Sequence, residues 1–225
     1  MNWEDEGFVI GKKKFRENAI ILDVFTAKFG KTSGIVYGGT SRKVRNHLQL
    51  MNKIFIIHTS KNENKIGYFK TELIKPISPE YFDNKNKILC LNSLSSILKT
   101  ILPENQTQKK IYDSLCFLLD NFSNENWMNF YLNWEVQLIQ YLGFGFNIDK
   151  IDTQKNLNGN TINISVDNIS YKMPKFLVSK NDEKLNNNDI YNGLNFSRSL
   201  LENKFFNPNN LRFPYSRKLL EKKFI

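Results

Sequence analysis

The chain has 225 residues, 40% of them apolar, with eighteen Phe and nine Tyr, which excludes a disordered chain and leaves room for one large domain or two small ones. Net charge is +10 and unevenly spread: residues 1–79 carry fourteen Lys/Arg against seven Asp/Glu. Asn, Lys and Ile are abundant throughout, so the overall charge says little, but its clustering in the first third points to an anion-binding surface there.

The chain opens Met1-Asn2-Trp3-Glu4-Asp5-Glu6, acidic where a secretory signal is basic. The longest purely apolar runs, such as residues 54–57, are far too short to span a membrane. A cytoplasmic protein is expected, with Cys90 and Cys116 as reduced thiols in separate helical segments.

Residues 8–14, 19–26 and 31–37 read as strands, split by Arg16-Glu17-Asn18 and by Lys28-Phe29-Gly30. Residues 41–50 follow as a short helix or an irregular loop. Two further strands, 54–58 and 66–74, are joined by the polar turn Lys61-Asn62-Glu63-Asn64. Five strands with a connection after the third is the order of an oligonucleotide-binding (OB) barrel.

Near Pro76 and Pro79 the period changes from two to 3.6. Ile88, Leu91, Leu94, Leu98 and Ile101 make one helical stripe, closed by Pro103, and Ile111, Leu115, Leu118, Leu119 and Phe122 make another. Residues 126–142 give a third, strongly apolar helix ending at Gly143. Residues 147–183 are Asn-rich and irregular, with a short strand at 161–165, and two last helices cover 188–206 and 215–224. The expectation is an α+β multidomain protein: a five-stranded OB-fold β-barrel over 1–79, then an α-helical C-terminal domain over 80–225 with a small loop/strand insert at about 147–183.

Catalytic chemistry finds little support. Gly30-Lys31-Thr32 matches only the tail of a phosphate-binding loop, because Phe25 stands where that motif needs glycine and a strand follows instead of a helix. Cys90, Cys116, His47 and His58 are scattered, with no Cys-x-x-Cys pair to start a zinc site. Ser41 and His47 lie near each other without the glycine elbow of a nucleophile. Glu4-Asp5-Glu6 reads as the solvated start of a strand, since a metal site draws carboxylates from several elements. A protein without catalytic residues, metal or cofactor is expected.

Binding chemistry is better served. Residues 11–53 hold ten Lys/Arg and only two acids, Glu17 and Asp23. Gly38-Gly39 permits a sharp backbone turn just before Arg42, Lys43 and Arg45, which project three cations within four residues. Any single lysine of Lys12-Lys13-Lys14 reads equally well as a solvated strand end; the cluster does not. The candidate phosphate-binding residues are Lys13, Lys14, Arg16, Lys31, Arg42, Lys43 and Arg45. Phe8 and Phe25 read as core. Phe15, Phe29 and Tyr37 lie at strand ends or beside turns and are the candidates for stacking on bases. Single-stranded nucleic acid is the leading partner, because its phosphates meet cations while its bases meet exposed rings.

Several stretches resemble a known family. Residues 3–10 (Trp-Glu-Asp-Glu-Gly-Phe-Val-Ile), residues 19–26 (Ala-Ile-Ile-Leu-Asp-Val-Phe-Thr) and Gly34-Ile35-Val36-Tyr37-Gly38-Gly39-x-Ser41-Arg42-Lys43 are similar to the N-terminal half of the bacterial RecO family of DNA repair proteins. Trp134-Glu135-x-x-Leu138-x-x-x-Leu142-Gly143-Phe144-Gly145-Phe146 is similar to that family's helix ending in Leu-Gly-Phe-Gly-Leu. The resemblance implies an OB domain and a helical domain, binding and annealing of single-stranded DNA, and work with RecR to load RecA in the RecF pathway. It also implies contact with the C-terminal tail of single-stranded-DNA-binding protein, no membrane, and a cytoplasmic, nucleoid-associated place in a bacterium. The chain departs from the family's pattern where many members carry a cysteine-based zinc site: Ile151 stands where a cysteine often occurs, and residues 147–183 contain no cysteine. The alternative to this reading is an OB-type RNA-binding module of the translation machinery.

Overall fold

In a computed structural model, residues 2–61, 66–144, 160–178 and 184–225 are described. The turn at 62–64, the Gly145-Phe146 end of the resemblance, Ile151 and most of the stretch before residue 160 lie outside them. Strands β1 (Asn2–Arg16), β2 (Ala19–Thr26), β3 (Gly30–Tyr37), β4 (Lys53–Thr59) and β5 (Gly67–Lys75) close into a barrel with neighbours in the order β1-β2-β3-β5-β4. Only β3 and β5 pair in parallel. The expected OB barrel is therefore present, with a short helix, α1 (Arg42–His47), between its third and fourth strands.

All five strands sit where period-two patterning places them, and β1 is longer than its apolar run. Its first half pairs with β4 and its second half with β2, which is how one strand closes the barrel. The acids at its start do not all face water. Asp5 is buried and its carboxylate accepts the Lys28 amide at 2.8 Å, while Glu4 and Glu6 are exposed. Alternation along a strand explains the difference.

Val9, Leu22, Val24, Ile54, Ile56 and Phe69 fill the barrel interior together with Ile20, Val36 and Leu48. Gly34 has a packing reason to be glycine: a Cβ there would sit 2.6 Å from the Phe69 ring. Phe8 and Phe25 are buried as expected, but they face outward from the barrel. Each lies 5.5 Å, centroid to centroid, from the Tyr112 ring. Helix α2 (Lys85–Ile101) covers the same outer region, where Ser95 Oγ donates to the Ile10 carbonyl at 2.5 Å and Lys99 pairs with Asp23 at 2.6 Å.

The chain divides into two compact units, Met1–Tyr112 with Pro214–Leu220, and Asp113–Phe213 with Glu221–Ile225. Helix α3 (Lys109–Asp120) runs from the first into the second. The second unit contains α4 (Trp127–Tyr141), a two-stranded sheet of β6 (Thr161–Val166) and β7 (Ile169–Pro174), and α5 (Asn187–Leu201), which packs on both α4 and β7. Asp167 and Asn168, both at positive φ, join β6 to β7, as a two-residue hairpin turn requires. Within this unit Glu135 is fully buried; its carboxylate accepts from the hydroxyls of Tyr131 and of Ser197, the latter at 2.6 Å. Helix α6 (Tyr215–Glu221) ends the chain. The expected final helix at 188–206 is α5 continued by a π-helical turn at Glu202–Phe206. No helix among the described residues is long and apolar enough to cross a membrane.

Candidate nucleic-acid interface

Two basic segments remote in the fold's order are tied together by their backbones. The Glu17-Asn18 turn joins β1 to β2, and Gly38 to Ser41 joins β3 to α1. Gly38 N–H donates to the Asn18 carbonyl at 2.8 Å, and Thr40 Oγ1 lies 3.3 Å from the Glu17 carbonyl and 3.2 Å from Asn18 Oδ1. Gly38 has φ of +69°, the left-handed region in which a side chain is strained, so the sharp turn there depends on glycine. Ser41 then caps α1, its side chain accepting the Val44 amide at 3.4 Å. Arg42, Lys43 and Arg45 are all exposed on this short helix.

A third tie comes from β1 itself. Lys12 Nζ donates to the Leu48 carbonyl at the C-terminal end of α1 at 2.9 Å. Burial, and then the charge of Arg45, lower the Lys12 pKa from its ordinary value. Lys13, Lys14, Phe15 and Arg16 follow along the exposed end of β1. The structure thus gathers Lys13, Lys14, Arg16, Arg42, Lys43 and Arg45 around the β1–β2 hairpin and α1, with Phe15 and Tyr37 among them.

Register decides which way these side chains point. A β-bulge between Lys14 and Arg16 breaks strict alternation. Lys13 pairs across from Ile21, which faces Ile35, which faces Tyr68. Arg16 pairs across from Ala19, which faces Tyr37. Because of the bulge, Lys13 and Arg16 share the outer face, where regular pleating would have put them on opposite faces. Phe15 is 42% exposed with the Arg16 guanidinium 5.2 Å above its ring, Tyr37 is 58% exposed and Tyr68 42% exposed. The Tyr37 and Tyr68 rings stack at 5.4 Å and 19°. The adjacent Tyr68 side chain raises the Tyr37 pKa from its ordinary value.

Tyr68 is not legible as a partner from sequence, because its exposure depends on where β5 docks. Its local signal is alternation: Tyr68 and Lys70 point out while Gly67 and Phe69 point in. Two expected residues stand elsewhere. Phe29 stacks on Trp3 at 4.3 Å, and Lys31 Nζ donates to the Lys99 carbonyl at 3.0 Å with Glu104 3.9 Å away. The loop after α2 lies along their turn, with Thr107 Oγ1 donating to the Lys28 carbonyl at 2.5 Å and Asn105 N–H to the Lys31 carbonyl at 2.8 Å. Gly30 and Tyr37 bound β3, so the Phe29 turn is separated from the hairpin cluster by a strand of about 23 Å.

The sequence has two cysteines and two histidines, and among the described residues no group of three or more His, Cys, Asp or Glu is placed to hold an ion. Neither cysteine takes part in a disulfide.

A closed five-stranded OB barrel with a basic, ring-bearing outer face, followed in the same chain by a helical unit, defines the class of architecture. Within that class the chain belongs to the Recombination protein O family: its N-terminal description matches residues 1–77 and its C-terminal description residues 84–212. The DNA repair protein RecO of Hyphomonas neptunium is 29% identical over 240 residues, spanning 99% of this chain and 98% of that protein. That of a Wolbachia from Drosophila simulans is 32% identical over 152 residues, 67% of this chain and 62% of the relative's length. That of Ehrlichia chaffeensis is 30% identical over 205 residues, 89% of this chain and 75% of the relative. Among solved structures, asparaginyl-tRNA synthetase of Entamoeba histolytica overlaps 76% of this chain and 39% of its own at 13% identity and TM-score 0.28, too distant a likeness to bear on function.

Proposed function

We propose that this protein is a non-enzymatic mediator of DNA repair and recombination that binds single-stranded DNA and anneals complementary strands. The observation that carries the reading is the tie between the β1–β2 hairpin and the Gly38–Ser41 turn, which sets six cations around exposed rings. Annealing needs no catalytic group. It needs the repulsion between two phosphate backbones to fall while base edges remain free to pair. Lys13, Lys14, Arg16, Arg42, Lys43 and Arg45 supply the charge, and rings hold bases by their faces, which leaves the pairing edges open.

By family, the same activity acts with RecR to load RecA in the RecF pathway, in the bacterial cytoplasm at the nucleoid. The partner that presents the DNA is single-stranded-DNA-binding protein, through its C-terminal tail. That tail offers a terminal carboxylate, acids and an aromatic ring, so its receptor is an apolar pocket edged by cations in the helical part.

The test is a strand-annealing assay on the purified protein, with naked DNA and with DNA coated by the binding protein. Annealing faster than the spontaneous rate on both substrates is expected, with salt-sensitive DNA affinity. No acceleration on either, or tighter binding to structured RNA than to single-stranded DNA, would sink this reading.

A further inference from the structure

We propose that Tyr68 and Tyr37 act together as a paired stacking platform for bases of a single DNA strand, with Arg16 and Lys13 on the flanking phosphates. The inference rests on the DNA-binding reading and names the part of the surface that holds the bases. Three independent features converge on it.

The first is exposure. Large rings standing well out of a folded surface cost hydration free energy, and here Tyr37 and Tyr68 do so together on one face. The second is preorganisation. The Tyr37 and Tyr68 rings are already near-parallel at 5.4 Å, carried by two paired strands of a closed barrel. A stacked pair uses one face of each ring and leaves the other face of each for a base, and little ordering entropy remains to be lost on binding. The third is charge. Cross-strand pairing runs Lys13–Ile21–Ile35–Tyr68 in one row and Arg16–Ala19–Tyr37 in the next, so each tyrosine has a cation at the far end of its own row. The small Ala19 between Arg16 and Tyr37 leaves the guanidinium close enough for its charge to act on the Tyr37 phenol.

The occupant is single-stranded DNA because the neighbouring charge is positive and the ring faces are flat and sequence-tolerant. An acidic peptide with a single aromatic ring would fill only one of the two ring faces, whereas successive bases fill both.

The experiment compares two strands of equal length on the full-length protein: oligothymidylate, and the same deoxyribose-phosphate chain without bases. Tyr68→Ala and Tyr68→Leu are expected to weaken oligothymidylate binding by roughly five- to a hundredfold. Both should leave binding to the base-free strand, and the salt slope, unchanged. Tyr68→Phe keeps the ring and is expected to bind within about twofold of the parent. The Leu variant retains bulk on β5, so a folding defect in the Ala variant leaves the test intact. Wild-type affinity of Tyr68→Leu for oligothymidylate, or an equal loss on both strands, would overturn the platform while the DNA-binding reading stood. Salt-insensitive or absent binding of the parent protein to both strands would overturn the DNA-binding reading itself.

Discussion

At the scale of single residues, the arginine cluster makes the most direct claim. Arg42, Lys43 and Arg45 stand exposed on a six-residue helix whose Val44 packs against the barrel core. Replacing all three by Ala is expected to weaken single-stranded DNA binding with little regard to base sequence. The slope of log K against log salt should become shallower by roughly 0.7 for each phosphate that is no longer neutralised. A titration at several salt concentrations reads both quantities, and parental affinity and slope would make the cluster a solvated loop. Gly34 carries a different prediction. Its missing Cβ makes room for the Phe69 ring, so Gly34→Ala forces the interior to shift, at about 1–3 kcal/mol. A urea melt of the variant should show a lowered midpoint. Gly34 looks in the sequence like one glycine of a run; only the register of β3 against β5 shows what it meets.

At the scale of elements, Asn52 is the joint on which α1 and the end of the barrel hang. It is fully buried in the loop before β4. Its Nδ2 donates to the His47 carbonyl at 3.1 Å, and its Oδ1 accepts the amides of Ile77 at 2.8 Å and Ser78 at 3.2 Å. Asn52→Ala leaves two buried amides and a carbonyl without that partner. Each orphaned group costs on the order of 1–3 kcal/mol, partly relieved if water enters. Chemical denaturation is expected to show a destabilisation of at least about 2 kcal/mol. A variant within about 0.5 kcal/mol of the parent, the scatter of neutral surface changes, would show the network to be dispensable. Nothing in the sequence marks this asparagine among its many neighbours of the same kind. Elements themselves are legible: β2 falls on residues 19–26 as read, and α4 within a residue at each end of 126–142. The β6–β7 hairpin is only half visible in the sequence, because β7 holds Lys172 and Pro174 and lacks the plain alternation of a strand.

At the scale of the molecule, the boundary between barrel and helices is open to a fragment experiment. The change of period near Pro76–Pro79 proposes that residues 1–79 are separable. The compact unit that contains the barrel also contains α2 and Tyr112, which cover Phe8, Ile10 and Phe25. Fragments of residues 1–80 and 1–112 are both expected to give β-type circular dichroism and salt-sensitive DNA binding. The shorter should melt several degrees lower, since it exposes two buried Phe rings. A shorter fragment that is helical, or that ignores DNA, would show that the barrel and its binding face do not stand alone.

What the sequence determined by itself is what local pattern can carry. Alternation in residues 19–26, 31–37 and 54–58, and the 3.6-residue stripes after Pro79, set the elements and their order; five strands in that order have few ways to close, and the OB barrel is one of them. Charge clustering before residue 53 and the Gly38-Gly39 turn marked the side of the barrel proposed to bind DNA. Tertiary structure alone decided which residues share that side. The bulge at Lys14–Arg16 turned Arg16 outward beside Tyr37, the docking of β5 brought Tyr68 against it, and the loop after α2 covered the turn holding Phe29 and Lys31. Each of these depends on register or on packing between segments distant in the chain, and a residue's own neighbours in sequence hold no record of either.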